Sequence, residues 1–239
     1  MTTSVPMLMY HRVAEPPPDT RHPAIFVAPQ RFAEQLAMLR ALGCSVVPLS
    51  TYVAYRRGEC ELPPRAVVLT LDDGYLDNYE HAFPILHEFG CGATIFLVSS
   101  LLGRTNVWDP DEPQAPLLDR CQVREMQRAG IDFQSHTSTH ARLTALGASC
   151  ALRELRDSRD ALEQLLGAPV ESVAYPWGAH DAAVQRLAEE AGYEAGVIVR
   201  RRTNFDHTPL LALRRIGVWG CTSVARLSWD LLRLRWRGE

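Results

Sequence analysis

The sequence predicts an α/β fold, a deformed parallel (β/α) barrel of about seven strands in a single domain spanning 1–239. Three observations predict it. Short apolar, β-branched runs alternate with longer segments of helical period, the pattern of βα units around a parallel sheet or barrel. The residues best suited to chemistry crowd directly after strand candidates, where parallel α/β folds place their functional groups. At 239 residues, 46% of them hydrophobic, the chain can bury one substantial core without dividing.

The elements follow in order. Val5 to Tyr10 is an apolar first strand, and the Pro-rich EPPPD after it is a loop, because proline cannot donate into a ladder or helix interior. Pro29 to Leu42 is helical. Ala66 to Leu71 (AVVLTL) is the next strand, and Asn78 to Phe89 the next helix, stopped by Gly90 where a C-terminal cap belongs. Ala93 to Ser99 is a strand, and DPDEPQAP, residues 109 to 116, a second Pro-rich loop. Helix Gln122 to Ala129 ends at Gly130 and leads into strand Ile131 to Ser135. In helix Ala148 to Leu166, the residues Leu152, Leu155, Leu162, Leu165 and Leu166 share one face among charged neighbours, so it lies outside the sheet, and Gly167 closes it. Strand Val170 to Tyr175, helix Asp181 to Ala191 with Gly192 after it, and strands Gly196 to Arg200 and Leu211 to Val218 complete the set. The C-terminal LSWDLLRLRWRGE has apolar residues at helical spacing among arginines and reads as a surface helix, with a membrane contact as the alternative.

Composition excludes several functions. A net charge of -3 and a pI near 6.2 give no electrostatic footprint for nucleic acid or an acidic membrane. No window approaches the roughly 18 consecutive apolar residues of a membrane-spanning helix, and no secretory leader is seen, so the cytoplasm is expected unless a leader has been trimmed away. Cys44, Cys60, Cys91, Cys121, Cys150 and Cys221 form no CxxC pair, which argues against a zinc ribbon or redox motif and leaves reduced, mostly buried thiols as the expectation.

Three strand ends carry the chemistry. AVVLTLDDGY stops in Asp72 and Asp73, adjacent carboxylates that repel unless a cation lies between them or one takes a proton. GIDFQSHTSTH places His136 and His140 four apart, on one face if the segment turns helically, so that both imidazoles reach one metal. Two histidines and one carboxylate leave a position open for water, as catalytic metal sites do. VESVAYPWG ends in Tyr175, Pro176, Trp177 and Gly178, whose amides could face an oxyanion while the aromatics wall a sugar. Taken alone, the first is an ordinary turn, the second a pair of surface histidines and the third a β-to-α turn; together they make a hydrolytic site.

In this order the three motifs resemble those of the NodB-homology polysaccharide deacetylases, carbohydrate esterase family 4. TLDDG (Thr70 to Gly74) is similar to the family's TFDDG, and HTSTH (His136 to His140) matches its H(S/T)xxH. The resemblance implies a deformed (β/α) barrel, with Asp72 as general base, Asp73, His136 and His140 as metal ligands, and Thr137 ordering the histidine loop. Ala174 stands where the family often has an arginine contacting the base, so that contact is expected to be missing. The C-terminal LxH is also absent. Leu213 to Ile216 (LRRI) instead resembles the LPRI of the branch containing poly-N-acetylglucosamine deacetylases, with Arg214 in place of proline, and makes Arg215 a further candidate. That branch begins with YHRV, here Tyr10 to Val13, which makes His11 the candidate acid, with His207 and His180 in reserve.

The expected cofactor is a divalent metal, zinc best fitting this ligand set, with cobalt, nickel or iron also accepted. The expected partner is an N-acetylated amino sugar, contacted by Tyr75, Trp108, Tyr175, Pro176 and Trp177. Two other readings share these residues: an amidase acting on a small N-acetylated metabolite, and a non-catalytic carbohydrate-binding relative.

Overall fold

A computed structural model describes residues 4–237. Its strands are β1 (Met7–Tyr10), β2 (Ser45–Val47), β3 (Ala66–Leu71), β4 (Thr94–Leu97), β5 (Asp132–Ser135), β6 (Ser172–Ala174), β7 (Ala195–Val199) and β8 (Leu213–Gly217). Its α-helices are α1 (Pro29–Ala41), α2 (Leu49–Arg56), α3 (Phe83–Phe89), α4 (Arg120–Arg128), α5 (Ala148–Leu166), α6 (Ala182–Glu190) and α7 (Val224–Arg237). All strand pairs are parallel. Seven strands close a ring in the order β1-β8-β7-β6-β5-β4-β3 and back to β1. The expected barrel of about seven strands is therefore the observed one. β2, which the strand pattern did not reveal, runs beside the first half of β3 before β4 takes over that edge.

Alternation along each strand divides the core in two. Leu69, Leu71, Ile95, Leu97, Val173 and Ile198 face the surrounding helices. Val68, Phe96, Ala174, Val197 and Leu213 fill the barrel interior. The same period of two turns Thr70 and Asp72 inward on β3 and Arg215 inward on β8, so polar groups enter the barrel at its C-terminal end.

The predicted helix at 78–89 is interrupted: Asn78–Ala82 is a π turn running into α3. Pro84 has no N–H for the carbonyl of Glu80, and its ring would clash there, so the chain widens by one residue and Phe83 N–H bonds Asn78 O instead. Asp119 caps α4 in a reciprocal capping box with Gln122. The cysteine expectation is corrected: Cys60, Cys121, Cys150 and Cys221 are exposed, and Cys44 and Cys91 half-buried. The C-terminal segment does form a helix, with Leu227 and Leu231 buried and Trp229 exposed. No described helix is long and apolar enough to cross a membrane.

Candidate active site

The ends of β1, β3, β5, β6 and β8 converge on a cavity of about 300 Å³. Asp72 and Asp73 leave β3 in different directions. Asp73 has a positive φ of 75°, which reverses the chain, and Gly74 follows at 69°, where a Cβ would lie 2.6 Å from the Leu97 side chain. The two carboxylates thus acquire separate partners.

Asp72 is 3% exposed and held by Arg215, itself 1% exposed, through two parallel bonds: Nη1 to Oδ1 at 2.5 Å and Nη2 to Oδ2 at 2.7 Å. Nη1 also donates to Thr70 Oγ1 at 3.1 Å. Burial pushes the Asp72 carboxyl up, but the Arg215 guanidinium outweighs it, helped by the nearby imidazoles of His136 and His11, and the net position is below the usual carboxylate range. The expectation that Asp72 lacks an arginine is corrected. Ala174 indeed offers none, but the inward face of β8 supplies one from across the barrel.

Asp73 Oδ1 lies 3.2 Å from His136 Nε2 and 3.2 Å from His140 Nε2. His136 Nδ1 donates to the Ala174 carbonyl at 2.8 Å, which leaves its Nε2 lone pair facing the carboxylate. Asp73 Oδ1 is buried and makes no hydrogen bond among the described residues. Three electron-pair donors pointing at one another, out of water, fit a divalent cation. Among the described residues this is the group of acidic, histidine or cysteine side chains able to hold one, its ligand atoms lying within 4.8 Å of one another. Burial raises the Asp73 carboxyl, and the two imidazoles, protonated at Nε2 when no cation is bound, more than reverse that, so it stays well below the usual carboxylate range.

The helical turn expected between the histidines is absent. Thr137 and His140 both adopt positive φ, 66° and 65°, and these two reversals bring the imidazoles together. Such backbone is rare for a β-branched residue and is held by local bonds, His140 N–H to Thr137 Oγ1 at 3.1 Å among them. Trp177 is a further case at 61°. Four of the five non-glycine positive-φ residues described border this site, so the strain is concentrated here.

Aromatic rings form the walls. Trp108 stacks on His140 with centroids 4.5 Å apart, and the 48% exposed Trp177 meets the same imidazole edge-on at 5.0 Å. Tyr75 is buried but also lines the cavity, its ring tilted against that of Trp108 at 6.2 Å. Tyr175 reaches the cavity wall, but its hydroxyl donates to Leu211 O and its ring packs over Gly196, where a Cβ would lie 2.4 Å from the hydroxyl. Pro176 is buried and does not line the cavity. His11 lines it, stacked on Trp219, with Nδ1 buried and without a hydrogen-bond partner among the described residues. His180 and His207 stack on Tyr175 and Phe205 and do not line it.

Trp219, His22 and Asp109 also line the cavity and were not singled out from sequence. Trp219 directly follows the last predicted strand, the position rule that found the aspartates. His22 and Asp109 come from the loops around the two Pro-rich stretches, which Glu112 joins by accepting from Thr20 Oγ1 at 2.6 Å and Arg21 N–H at 2.7 Å.

The family model for polysaccharide deacetylases matches residues 60–196, more than half of the chain and all three motifs. The chain belongs to the polysaccharide deacetylase family. Over 214 residues it is 26% identical to YxkH of Bacillus subtilis, covering 90% of this chain and 71% of that one. It is 29% identical over 161 residues to the poly-beta-1,6-N-acetyl-D-glucosamine N-deacetylase of Staphylococcus epidermidis, covering 64% of this chain and 54% of that enzyme. The chain thus spans about half the length of the staphylococcal relative. Among solved structures, the Streptococcus pyogenes deacetylase PplD in complex with acetate superposes with a TM-score of 0.84 at 28% identity, covering 97% and 99% of the two chains. IcaB from Ammonifex degensii shares the fold at a TM-score of 0.80 and 23% identity, covering 95% and 97%.

Proposed function

We propose that this protein is a metal-dependent hydrolase that removes N-acetyl groups from N-acetylglucosamine-type amino sugars in a polysaccharide, oligosaccharide or glycoconjugate. One observation carries the reading: a buried Asp73, His136 and His140 converge beside an Asp72 locked by Arg215, at the floor of an aromatic-walled cavity. The staphylococcal relative's name and the acetate in the streptococcal structure support the same chemistry.

Asp73, His136 and His140 would hold a divalent ion, zinc being the best match, and such an ion would supply Lewis acidity for activating water and polarising the acetyl carbonyl. Asp72 takes the proton of the attacking water. Arg215 fixes both its oxygens on one side, so the remaining lone pairs face the cavity. The water oxygen bonds to the acetyl carbon, and a backbone amide near Trp177 faces the oxyanion that develops. The carbon–nitrogen bond then breaks, and His11 protonates the leaving nitrogen, giving acetate and a free amino sugar. Trp108, Trp177 and Trp219 offer apolar faces to the sugar rings.

The test is acetate release from N-acetylglucosamine oligomers by chelator-stripped and metal-restored protein, beside a small N-acetylated metabolite. Acetate from oligomers only after metal is restored is the expected result. Release without metal, or faster release from the metabolite, would overturn the reading.

A further inference from the structure

We propose that Glu154 of α5 is a positioning residue for His140 and sets the affinity of the site for its metal; this rests on the metal reading above. The two histidines are oriented by different means. His136 is fixed by its own bond from Nδ1 to the Ala174 carbonyl, whereas His140 Nδ1 is buried with no hydrogen-bond partner among the described residues. The direction of the His140 ring therefore depends on the stack against Trp108 and on the backbone that carries it.

That backbone is unfavourable, with positive φ at Thr137 and His140, and must be held from outside. On one side, the Thr137 carbonyl accepts from Ser99 N–H at 3.2 Å, and the Ser138 carbonyl accepts from Ser100 N–H at 3.1 Å and Ser100 Oγ at 2.6 Å. On the other side the hydrogen bonds among the described residues come from Glu154. Its main-chain carbonyl accepts from Ser138 N–H at 3.1 Å, Oε2 accepts from Thr139 N–H at 2.8 Å, and Oε1 accepts from Thr139 Oγ1 at 2.8 Å. Thr139 is exposed and immediately precedes His140. Without the carboxylate its amide turns to water, and the strained residue after it loses the anchor that keeps its imidazole aimed at Asp73.

The experiment is a Zn²⁺ competition titration against a chromophoric chelator, with apoprotein melting and kcat measured beside it, on wild type, Glu154→Ala, Glu154→Gln and Thr139→Ala. Glu154→Ala should weaken zinc by about 10- to 100-fold, the range for outer partners of metal ligands. Glu154→Gln should recover most of this, because the amide can still accept from Thr139 N–H and can donate to Thr139 Oγ1. Thr139→Ala removes only the hydroxyl half of the clamp, leaves α5 intact and should fall between them, which keeps a test available if Glu154→Ala does not fold. Zinc affinity unchanged within about twofold in Glu154→Ala, or in Thr139→Ala should the former not fold, overturns the inference. So does a Glu154→Gln protein as weak as Glu154→Ala. A wild-type protein that binds no zinc would instead overturn the metal reading, and this inference with it.

Discussion

Replacing Arg215 by methionine separates the two opposing forces on Asp72 while keeping the side-chain volume close. The guanidinium sits at 2.5 and 2.7 Å from the two carboxylate oxygens, inside the barrel and 1% exposed. Breaking a buried pair of this kind by removing one partner costs about 3–5 kcal/mol if the other stays charged. At about 1.4 kcal/mol per unit, that is a rise of two or more units in the Asp72 pKa. Burial, which alone pushes the carboxyl up, is then opposed by the nearby imidazoles and, in the metal-loaded protein, by the cation; in the metal-free protein Asp72 moves from below the usual carboxylate range to above it. A base that must be ionised to act should therefore move the acidic limb of the kcat/KM profile up by about two units, with rate falling about tenfold per unit below it. Stability gives a readout independent of turnover. In the wild type the depressed pKa contributes stability that is present above the unfolded value, about 3.9, and lost as pH falls through the folded value beneath it. In the variant the folded value is raised, so the contribution is present below the unfolded pKa and lost as pH rises through the folded one. The stability gap between the two proteins in urea should widen from pH 4 to pH 8. Coincident acidic limbs and a constant gap would refute the reasoning.

Three further outcomes are expected. Asp72→Asn should keep its metal and lose about 10²- to 10⁴-fold in kcat, the usual worth of a general base; loss of metal in a stoichiometry assay would mean that the two aspartates have been assigned the wrong way round. His11→Ala should depress turnover at unchanged metal content and move or abolish the alkaline limb of the pH profile; a wild-type profile, with His180→Ala or His207→Ala impaired instead, would place the acid elsewhere. Trp177→Ala should raise KM for oligomers by about 5- to 10-fold at near-constant metal content, a stacking contact of roughly 1–1.5 kcal/mol, and an unchanged KM would remove this ring from the binding surface.

The parts of the fold and site that the sequence discloses are those whose signals are contiguous. Each candidate metal-site residue lies in an unbroken run from a buried strand into a turn, so AVVLTLDDG and GIDFQSHTSTH can be read locally, and the seven ring strands are apolar enough to stand out. Other features escape for identifiable reasons. Arg215 is a candidate from its LRRI motif, but its pairing with Asp72 is not legible: the two lie 143 positions apart, and only the inward face of β8 brings them together. The convergence of His136 and His140 depends on two left-handed residues, Thr137 and His140, that no propensity would place there. The π turn at Asn78–Ala82 follows from Pro84, whose consequence shows only once the helix is known to continue through it. β2 is three half-buried residues, too short for its period to register. The loops that bring His22 and Asp109 to the cavity are Pro-rich and irregular, and their meeting through Glu112 is set by tertiary contact alone.

Metal content is the measurement that bears most directly on the central claim. Purified wild-type protein, Asp73→Ala, His136→Ala and His140→Ala would be loaded with zinc, desalted and assayed for bound metal and acetate release together. Each substitution removes one of the three proposed protein ligands, so one equivalent in the wild type, with loss of both metal and activity in all three variants, is the expected result. Stoichiometric zinc retained by the three variants, or full activity in a wild type that holds none, would contradict it.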